Sequence, residues 1–365
     1  MMTSRCTVRA CATCAAKERK PFVLPKVKKT VCVSTSNDIF RNLALEHWFY
    51  KNLKFDEHHH KLMLWVNGPC VVIGRHQNPW TECNVPWLAA NKTHLARRNS
   101  GGGTVYHDGG NLNLTFFTPN EHYHRRSNLQ FISDTIYQDF GLRMDINKRE
   151  DLAVRGYKVS GTAAKLARHC AYHHCTLLVA ADKQNLRSAL QPSDWNITTN
   201  ATQSIKSNIR NLRDECADIT VDGLVHSLAR GYLNWNNTNA NSDQITDSLQ
   251  TVAPSETHFP GLETFYNEYK SWQWTFGKTP KFSASKTFKH HEVSFELAIQ
   301  VEEGLISDVD VKVPNGYPDY QIVRQLQDTQ AIVGQKYDVE LISRLGKVFQ
   351  ETLQVSSQHL DSAVV

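Results

Sequence analysis

The stretch best equipped for chemistry is Arg97-Arg98-Asn99-Ser100-Gly101-Gly102-Gly103-Thr104-Val105-Tyr106-His107-Asp108, and Lys158 is the downstream cation that can serve it. Three consecutive glycines allow positive φ and bring bare backbone N–H groups close to a ligand that a Cβ would hold off. The two arginines ahead of them carry forked donors suited to phosphate or carboxylate oxygens. Nest and fork together fit a phosphorylated or activated acyl ligand. No Gly-Lys-Ser/Thr follows, so this is not a Walker loop. The glycine spacing and the lack of a later acidic residue at a strand end exclude a dinucleotide fingerprint. A tight hairpin between two strands would use the same glycines, and the local sequence leaves both readings open.

Lys158 follows the Gly156 turn and precedes an alternating strand, a placement that projects its ammonium inward. There it would meet negative charge developing on a carbonyl or phosphate. On a plain edge strand it would instead be solvated. A second loop, Gly74 to Trp80, offers Arg75, Gln77 and Trp80 at a strand end, where ligand contacts are common; otherwise it is a turn with Trp80 in the core. His173 and His174 alternate on one strand, so at most one faces a site. Cys175 beside them is a packing residue or, less in keeping with a strand cysteine, a nucleophile. His58-His59-His60 reads as an exposed loop, and no metal cage is encoded. Nine cysteines, unevenly spaced, suit free thiols in a reducing compartment. Cys11 and Cys14 have no second pair near them.

The elements that must position these groups follow from periodicity. Val31 to Thr35 reads as a strand, with Ser36 or Asn37 capping a helix that carries Ile39, Phe40, Leu43 and Trp48. Leu62 to Val66 and Cys70 to Ile73 read as a hairpin around Asn67-Gly68. Val85 to Asn91 reads as a helix, His94 to Arg98 as a strand, Leu112 to Phe117 as a strand, and Arg126 to Phe140 as a helix closed by Gly141. Tyr172 to Val179 is another strand, and a helix lies near Asp222 to Tyr232. Beyond the polar stretch Asn236 to Ser255, the best boundary, come a helix at Phe265 to Trp274 and strands at Lys281 to Phe288, Glu292 to Val301 and Val309 to Val313. A final helix is expected around Val339 to Leu353.

At 365 residues the chain predicts two globular units. No apolar run approaches a membrane span. The net charge of +5 is concentrated at the start, where eight basic residues face only Glu18 within residues 1–29. The remainder is mildly acidic, which argues against a nucleic-acid partner. That basic leader, rich in Ser, Thr and Ala and without a long apolar core, fits a mitochondrial transit peptide, with a basic tail as the alternative.

Five ordered segments then carry a resemblance: GRHQNPWTEC at Gly74 to Cys83, ARRNSGGGTVYHDGGNLN at Ala96 to Asn113, GYKVSGTA at Gly156 to Ala163, YHHCTLL at Tyr172 to Leu178 and FGKTPKFS at Phe276 to Ser283. Together they resemble the lipoate-protein ligase and lipoyltransferase family. The resemblance implies an α+β fold, with a biotin/lipoate-ligase-like mixed-sheet catalytic domain at 30–250, after a transit peptide at 1–29, and a small α+β accessory domain at 258–355. It implies transfer of a lipoyl group from lipoyl-AMP, as substrate, to the lysine ε-amine of lipoyl domains of dehydrogenase E2 subunits and of the glycine-cleavage carrier protein. ATP and magnesium enter only if the chain is a complete ligase, and direct transfer from the glycine-cleavage carrier to E2 is a third route. The resemblance assigns nucleotide and phosphate contacts to Arg98, Gly103, Thr104, Val105 and Tyr106. It assigns the reacting centre to Lys158, and the acyl pocket to Lys158, Asn113, His107 and Arg75. Bacterial ligases have Gly where this chain has Cys175, which resembles the animal transferases. The expected setting is a monomer in the mitochondrial matrix, with no membrane partner.

Overall fold

The computed structural model describes residues 28–53, 59–192, 195–235, 249–290, 293–312 and 332–338, with Leu341, Arg344, Leu345 and Lys347. The expected leader up to residue 27, with Cys11 and Cys14, and most of the expected last helix lie outside these residues, while Lys28 and Lys29 of the expected leader belong to the first strand.

The described chain opens with β1 (Lys28–Ser34) and α1 (Ile39–Asn52). It continues through β2 (His59–Val66), β3 (Cys70–Ile73), α2 (Pro79–Glu82), α3 (Val85–Ala90), β4 (His94–Arg97) and β5 (Val105–His107). β6 (Asn111–Pro119) and α4 (Arg125–Phe140) precede the short strands β7 (Asp145–Ile146), β8 (Leu152–Val154) and β9 (Tyr157–Lys158). Then come β10 (Ser160–Leu166), β11 (Cys170–Leu178), α5 (Lys183–Ala189), β12 (Asn196–Thr199), α6 (Val221–Asn234) and β13 (Leu249–Val252). The described chain ends with α7 (Leu262–Lys270), α8 (Trp272–Thr275), β14 (Phe282–His290), β15 (Val293–Glu302) and β16 (Leu305–Lys312).

A six-stranded mixed sheet, in the order β10-β11-β6-β2-β1-β13, is the floor of the molecule. Alternation sorts its side chains. Leu112, Leu114 and Phe116 of β6 point to one face and pack with Leu129, Ile132 and Ile136 of α4 and Leu224 and Leu228 of α6. Met63, Trp65, Phe117 and Tyr172 point to the other, beneath α1 and α7, with Phe40, Leu43, Leu262 and Tyr269. A three-stranded sheet, β4-β3-β5, lies on that second side, and a four-stranded sheet, β12-β14-β15-β16, has its own core around Trp80, Phe282, Leu297 and Ile299. The α+β class and the mixed sheet are as expected.

Several expectations change. The cap of α1 is Asp38, not Ser36 or Asn37: its carboxylate accepts from the Phe40 and Arg41 amides at 2.8 and 3.4 Å. β2 and β3 do not form a hairpin. β2 pairs with β1 and β6, while β3 joins β4 and β5. Asn67 is buried and bonded to Asn42, so the chain between β2 and β3 steps from one sheet to another instead of folding back. His59 and His60 open β2, with His60 Nε2 3.1 Å from His122 Nδ1. The polar stretch before Ser255 contains β13, which pairs in parallel with β1. The helix expected in the smaller unit, α7, packs on α1 in the larger one. β12 reaches the other way, pairing with β14.

Arg97 binds three of these segments together. It is fully buried, and its guanidinium donates to the carbonyls of Arg75 (2.9 Å), Gln77 (2.7 Å) and Thr275 (2.7 Å) and to Thr279 Oγ1 (2.9 Å). Trp274 Nε1 returns a bond to the Arg97 carbonyl at 2.7 Å. Burial and the neighbouring Arg75 lower its pKa to about 10, which leaves it charged at neutral pH. This arginine is structural and is not half of an anion fork.

Arg97→Met should cost about 2–4 kcal/mol of stability, because several buried carbonyls lose their donor at once; equilibrium urea unfolding reads this directly. A pH effect is also expected. His47 stacks on Phe265 with ring centroids 4.3 Å apart, and burial lowers its pKa to about 4, with Lys165 and Lys51 adding to the shift. His60 is likewise lowered to about 4, by burial and then by His122 and Lys29. Between the unfolded value near 6.5 and about 4, the unfolded chain binds protons that the folded chain refuses. The urea midpoint should therefore be level above pH 6.5 and fall as pH drops toward 4. His47→Gln should remove part of that slope, and an unchanged slope would place it elsewhere.

Candidate active site

Between the six-stranded floor and the three-stranded sheet lies a cavity of about 310 Å³. Its floor is one row of cross-strand neighbours: Gly161 of β10 pairs with Thr176 of β11, Thr176 with Asn113 of β6, and Asn113 with Trp65 of β2. Ala163 and His174 form the next row. Val72 of β3 and Val105 and His107 of β5 form the roof. Only small side chains fit where β5 crosses β10. A Cβ on Gly161 would stand 3.3 Å from Val105 Cγ1 and 3.2 Å from Thr176 Oγ1.

The glycine stretch crosses one end of this cavity. Arg98 is buried beneath it and donates from Nη2 to the carbonyls of Gly101 (2.6 Å) and Gly103 (2.7 Å), from Nη1 to Val72 (3.1 Å) and from Nε to Ser100 Oγ (3.0 Å). With these carbonyls turned toward Arg98, the loop follows a path that needs φ of +88° at Gly102. Gly74 is the other constraint. A Cβ there would sit 2.2 Å from the Gly102 carbonyl oxygen, so the two backbones touch. Arg98 thus shapes the nest more than it reaches out of it; burial lowers its pKa to about 10, and it remains a cation.

Lys158 stands at the same end. Its amide and carbonyl are held by Asn208 and Arg210, and its Nζ lies 2.9 Å from Asp151 Oδ1. Asp151 is almost wholly buried while Lys158 keeps partial exposure. The lysine is therefore a fixed cation in the cavity wall, not a solvated side chain. Arg125 and Arg149 line the cavity too.

A segment over the cavity closes it. Ser204 Oγ hydrogen-bonds the Glu82 carboxylate, accepts from the Thr104 amide at 2.8 Å and from Gln77 Nε2 at 3.0 Å, and the Ser204 amide donates to Glu82 Oε1 at 3.1 Å. Thr104 Oγ1 donates to Gln77 Oε1 at 2.9 Å. One backbone donor of the nest is thus held by Ser204.

The residues expected from sequence divide accordingly. Arg98, Gly103, Thr104, Val105, His107, Asn113 and Lys158 all line one cavity. Tyr106 does not. Alternation on β5 turns it to the opposite side, among Val71, Ile73 and Leu88. Arg75 also lies outside, bonded to Asn99 Oδ1 at 2.6 Å, with its guanidinium 5.0 Å from the Trp274 ring centroid. Of the histidine pair, His174 lines the cavity while His173 stacks on Phe116 beneath the sheet. Cys175 borders the cavity, but its side chain packs into that lower core and burial pushes its thiol far up, which argues against a nucleophilic role. His174 links Ser100 Oγ (2.9 Å) to Glu46 Oε1 (2.9 Å), the connectivity of a hydrolase triad. Ser100, however, is buried behind the loop and its oxygen is taken by Arg98.

Sequence reasoning missed Trp65, Asp151, Arg125, Arg149 and Ser204. Asp151 had one signal, an acid just before the lysine on the same turn-forming stretch. Nothing local marks the others, because strand pairing and chain reversal bring them in.

Residues 38–233 match the family model described as the lipoyl protein ligase A/B catalytic domain. Among curated proteins, the chain is 38% identical over 311 residues to the mitochondrial lipoyl amidotransferase LIPT1 of Homo sapiens, covering 83% of this chain and 81% of that protein. It is 33% identical over 315 residues to lipoate-protein ligase A of Bdellovibrio bacteriovorus, covering 85% and 89%. Among solved structures, that of P. falciparum LipL1 in complex with lipoate superposes with a TM-score of 0.58 at 27% identity, covering 89% of this chain and 99% of that one. A lipoate-protein ligase A bound with ATP shares the fold, with a TM-score of 0.52 at 19% identity over 68% and 98%.

Gly74→Ala should displace the glycine loop while leaving both cores intact. The expected result is an unfolding midpoint below that of wild type, because the colliding group is backbone, and at least about tenfold weaker binding of an acyl-adenylate by calorimetry, since nest donors act only when pre-positioned.

Proposed function

The chain belongs to the lipoyl protein ligase A/B catalytic domain family, and we propose that it transfers a lipoyl group from lipoyl-AMP to the ε-amine of a lysine on a lipoyl domain. The observation that carries this reading is Lys158, held 2.9 Å from a buried carboxylate at the end of the cavity that also holds the glycine nest.

An acyl-adenylate is already activated. The protein has to hold it, keep water out and stabilise charge as the amine attacks. The acyl chain fits along the floor row, with its carbonyl beside Lys158 and its phosphate against the glycine loop at Gly102 and Gly103. As the incoming amine adds, the carbonyl oxygen gains negative charge, which the Lys158 ammonium opposes; the same cation serves the phosphate of departing AMP. Asp151 keeps that ammonium in place. No covalent acyl-enzyme is needed, in keeping with the burial of Cys175. The family comparisons support lipoyl transfer. The acceptors proposed are lipoyl domains of dehydrogenase E2 subunits and the glycine-cleavage carrier protein, with the mitochondrial matrix as the setting and a monomer as the working form.

A second reading is favoured by the amidotransferase name of the human relative. A lipoyl amidotransferase in the sense of moving a lipoyl group from one lysine amide to another would take it from a lipoylated carrier protein. Supplying either lipoyl-AMP or lipoylated carrier, each with apo lipoyl domain and without ATP, separates the two by intact-protein mass spectrometry. Adding only lipoate and ATP with magnesium tests a complete ligase.

Lys158→Ala should remain folded by circular dichroism and lose about 10²–10³-fold in the single-turnover rate with lipoyl-AMP. Transfer at the wild-type rate would sink the assignment of Lys158.

A further inference from the structure

The lining of the cavity shows where it meets solvent. Trp65, Val72, His107 and Asn113 are buried, whereas Arg149, Thr202, Gln203 and Ile205 are exposed. Ile205 is 68% exposed, the highest value among the large apolar side chains of the described residues. A single exposed isoleucine is ordinary, but this one stands at the mouth of a reaction site. Lys158 ties that mouth together through its backbone. Its amide donates to the Asn208 carbonyl at 2.9 Å and its carbonyl accepts from the Arg210 amide at 3.0 Å, so the stretch leading from Ile205 to Arg210 meets β9 just after the β8–β9 turn. Arg210 then lies over the Tyr157 ring, 4.0 Å from its centroid.

Six basic side chains gather around this mouth: Arg125, Lys148, Arg149, Arg155, Lys206 and Arg210. Arg125 and Arg149 line the cavity, and Lys148 and Lys206 are exposed neighbours in sequence of the lining residues Arg149 and Ile205. The acids among them are few and already engaged. Glu150 pairs with Arg125 at 3.3 Å, and the buried Glu215 is shared by Arg155 and Arg210. Asp214 also faces Arg210 but is held by Lys183 at 2.9 Å, as Asp151 is by Lys158. Lys148, Arg149 and Lys206 form no ion pair among the described residues. The excess is local, because the chain from residue 30 onward is mildly acidic. Crowded cations without counter-ions repel one another, and a partner of opposite sign relieves that cost.

Resting on the reading of the cavity as a lipoyl-transfer site, we propose that this rim is the docking surface for the acceptor protein, which it recognises through acidic side chains around the target lysine. The acids meet Lys148, Arg149 and Lys206, Ile205 is the apolar centre of the contact, and the lysine between them passes inward toward Lys158. The same ring repels a lysine that arrives without acidic neighbours, so the rim selects among acceptors as well as binding them. A nucleic-acid duplex would meet the same cations but brings no lysine to the cavity.

The test uses the full chain with lipoyl-AMP and an apo lipoyl domain, with transfer read by intact-protein mass spectrometry. In the double variant Lys148→Glu/Lys206→Glu, changed at two exposed positions outside the cavity lining, kcat/KM for the domain should fall about tenfold or more at low salt. Its affinity for lipoyl-AMP by calorimetry should match that of wild type. Raising sodium chloride should bring the wild-type constant down toward that of the double variant. Ile205→Ser should lower the same constant without changing its salt dependence. A double variant as fast as wild type, a wild-type rate indifferent to salt, or lipoyl-AMP binding weakened by the two charge reversals overturns the docking surface while leaving transfer itself intact. Retention of a DNA duplex of unrelated sequence as tightly as the lipoyl domain overturns the assignment to an acidic protein. Absence of transfer from lipoyl-AMP to any acceptor by wild type would instead sink the transferase reading.

Discussion

Two adjacent arginines, buried and bonded to carbonyl oxygens, constrain most of what surrounds the site. A guanidinium removed from water needs most of its donors filled. Arg97 fills its own with the backbone at 74–77 and 274–279, and Arg98 with the glycine loop and Val72. These bonds draw carbonyls toward the arginines and hold the loop in its path across the cavity. The positive charge under the nest is fixed and cannot be displaced by a ligand, so the site is electropositive before anything binds. Arranging a charge ahead of the reaction in this way removes the cost of arranging it during the reaction.

The period-two alternation of strands then divides the labour between faces. On β11, His174 and Thr176 belong to the cavity, His173 stacks on Phe116 in the core below, and Cys175 borders the cavity while packing into that core. On β5, Val105 and His107 form the roof while Tyr106 anchors the strand from behind. A one-residue slip of either strand would exchange a wall of small and polar groups for one of core side chains. Register is thus as much a property of the site as any single residue.

The glycine stretch, the position of Lys158 and most helices and strands were legible from local pattern, since each depends on residues close in sequence. What escaped depends on distance. β13 is short, largely exposed and set in a polar stretch, and it becomes a strand because β1 offers an edge. Asn67-Gly68 has the composition of a solvent-facing turn, yet Asn67 is buried by Asn42, which arrives from a helix. Arg97 and Arg98 look alike in sequence. Only the carbonyls brought around them from remote segments show that one holds the scaffold and the other the loop. Arg75, placed at the acyl pocket by resemblance, is turned away by Asn99 and Trp274.

The path of the chain through the two larger sheets has a practical consequence. β12 joins the small sheet before the chain has returned to complete the large one at β13. Between them the chain lays Ser204 across the cavity. The protein is laced, not jointed. A break anywhere between α6 and β13 gives one fragment with a strand that belongs to the other and a second fragment in the same condition. The segment covering the cavity is moored at one end to each sheet, so neither sheet could shift against the other without drawing on it.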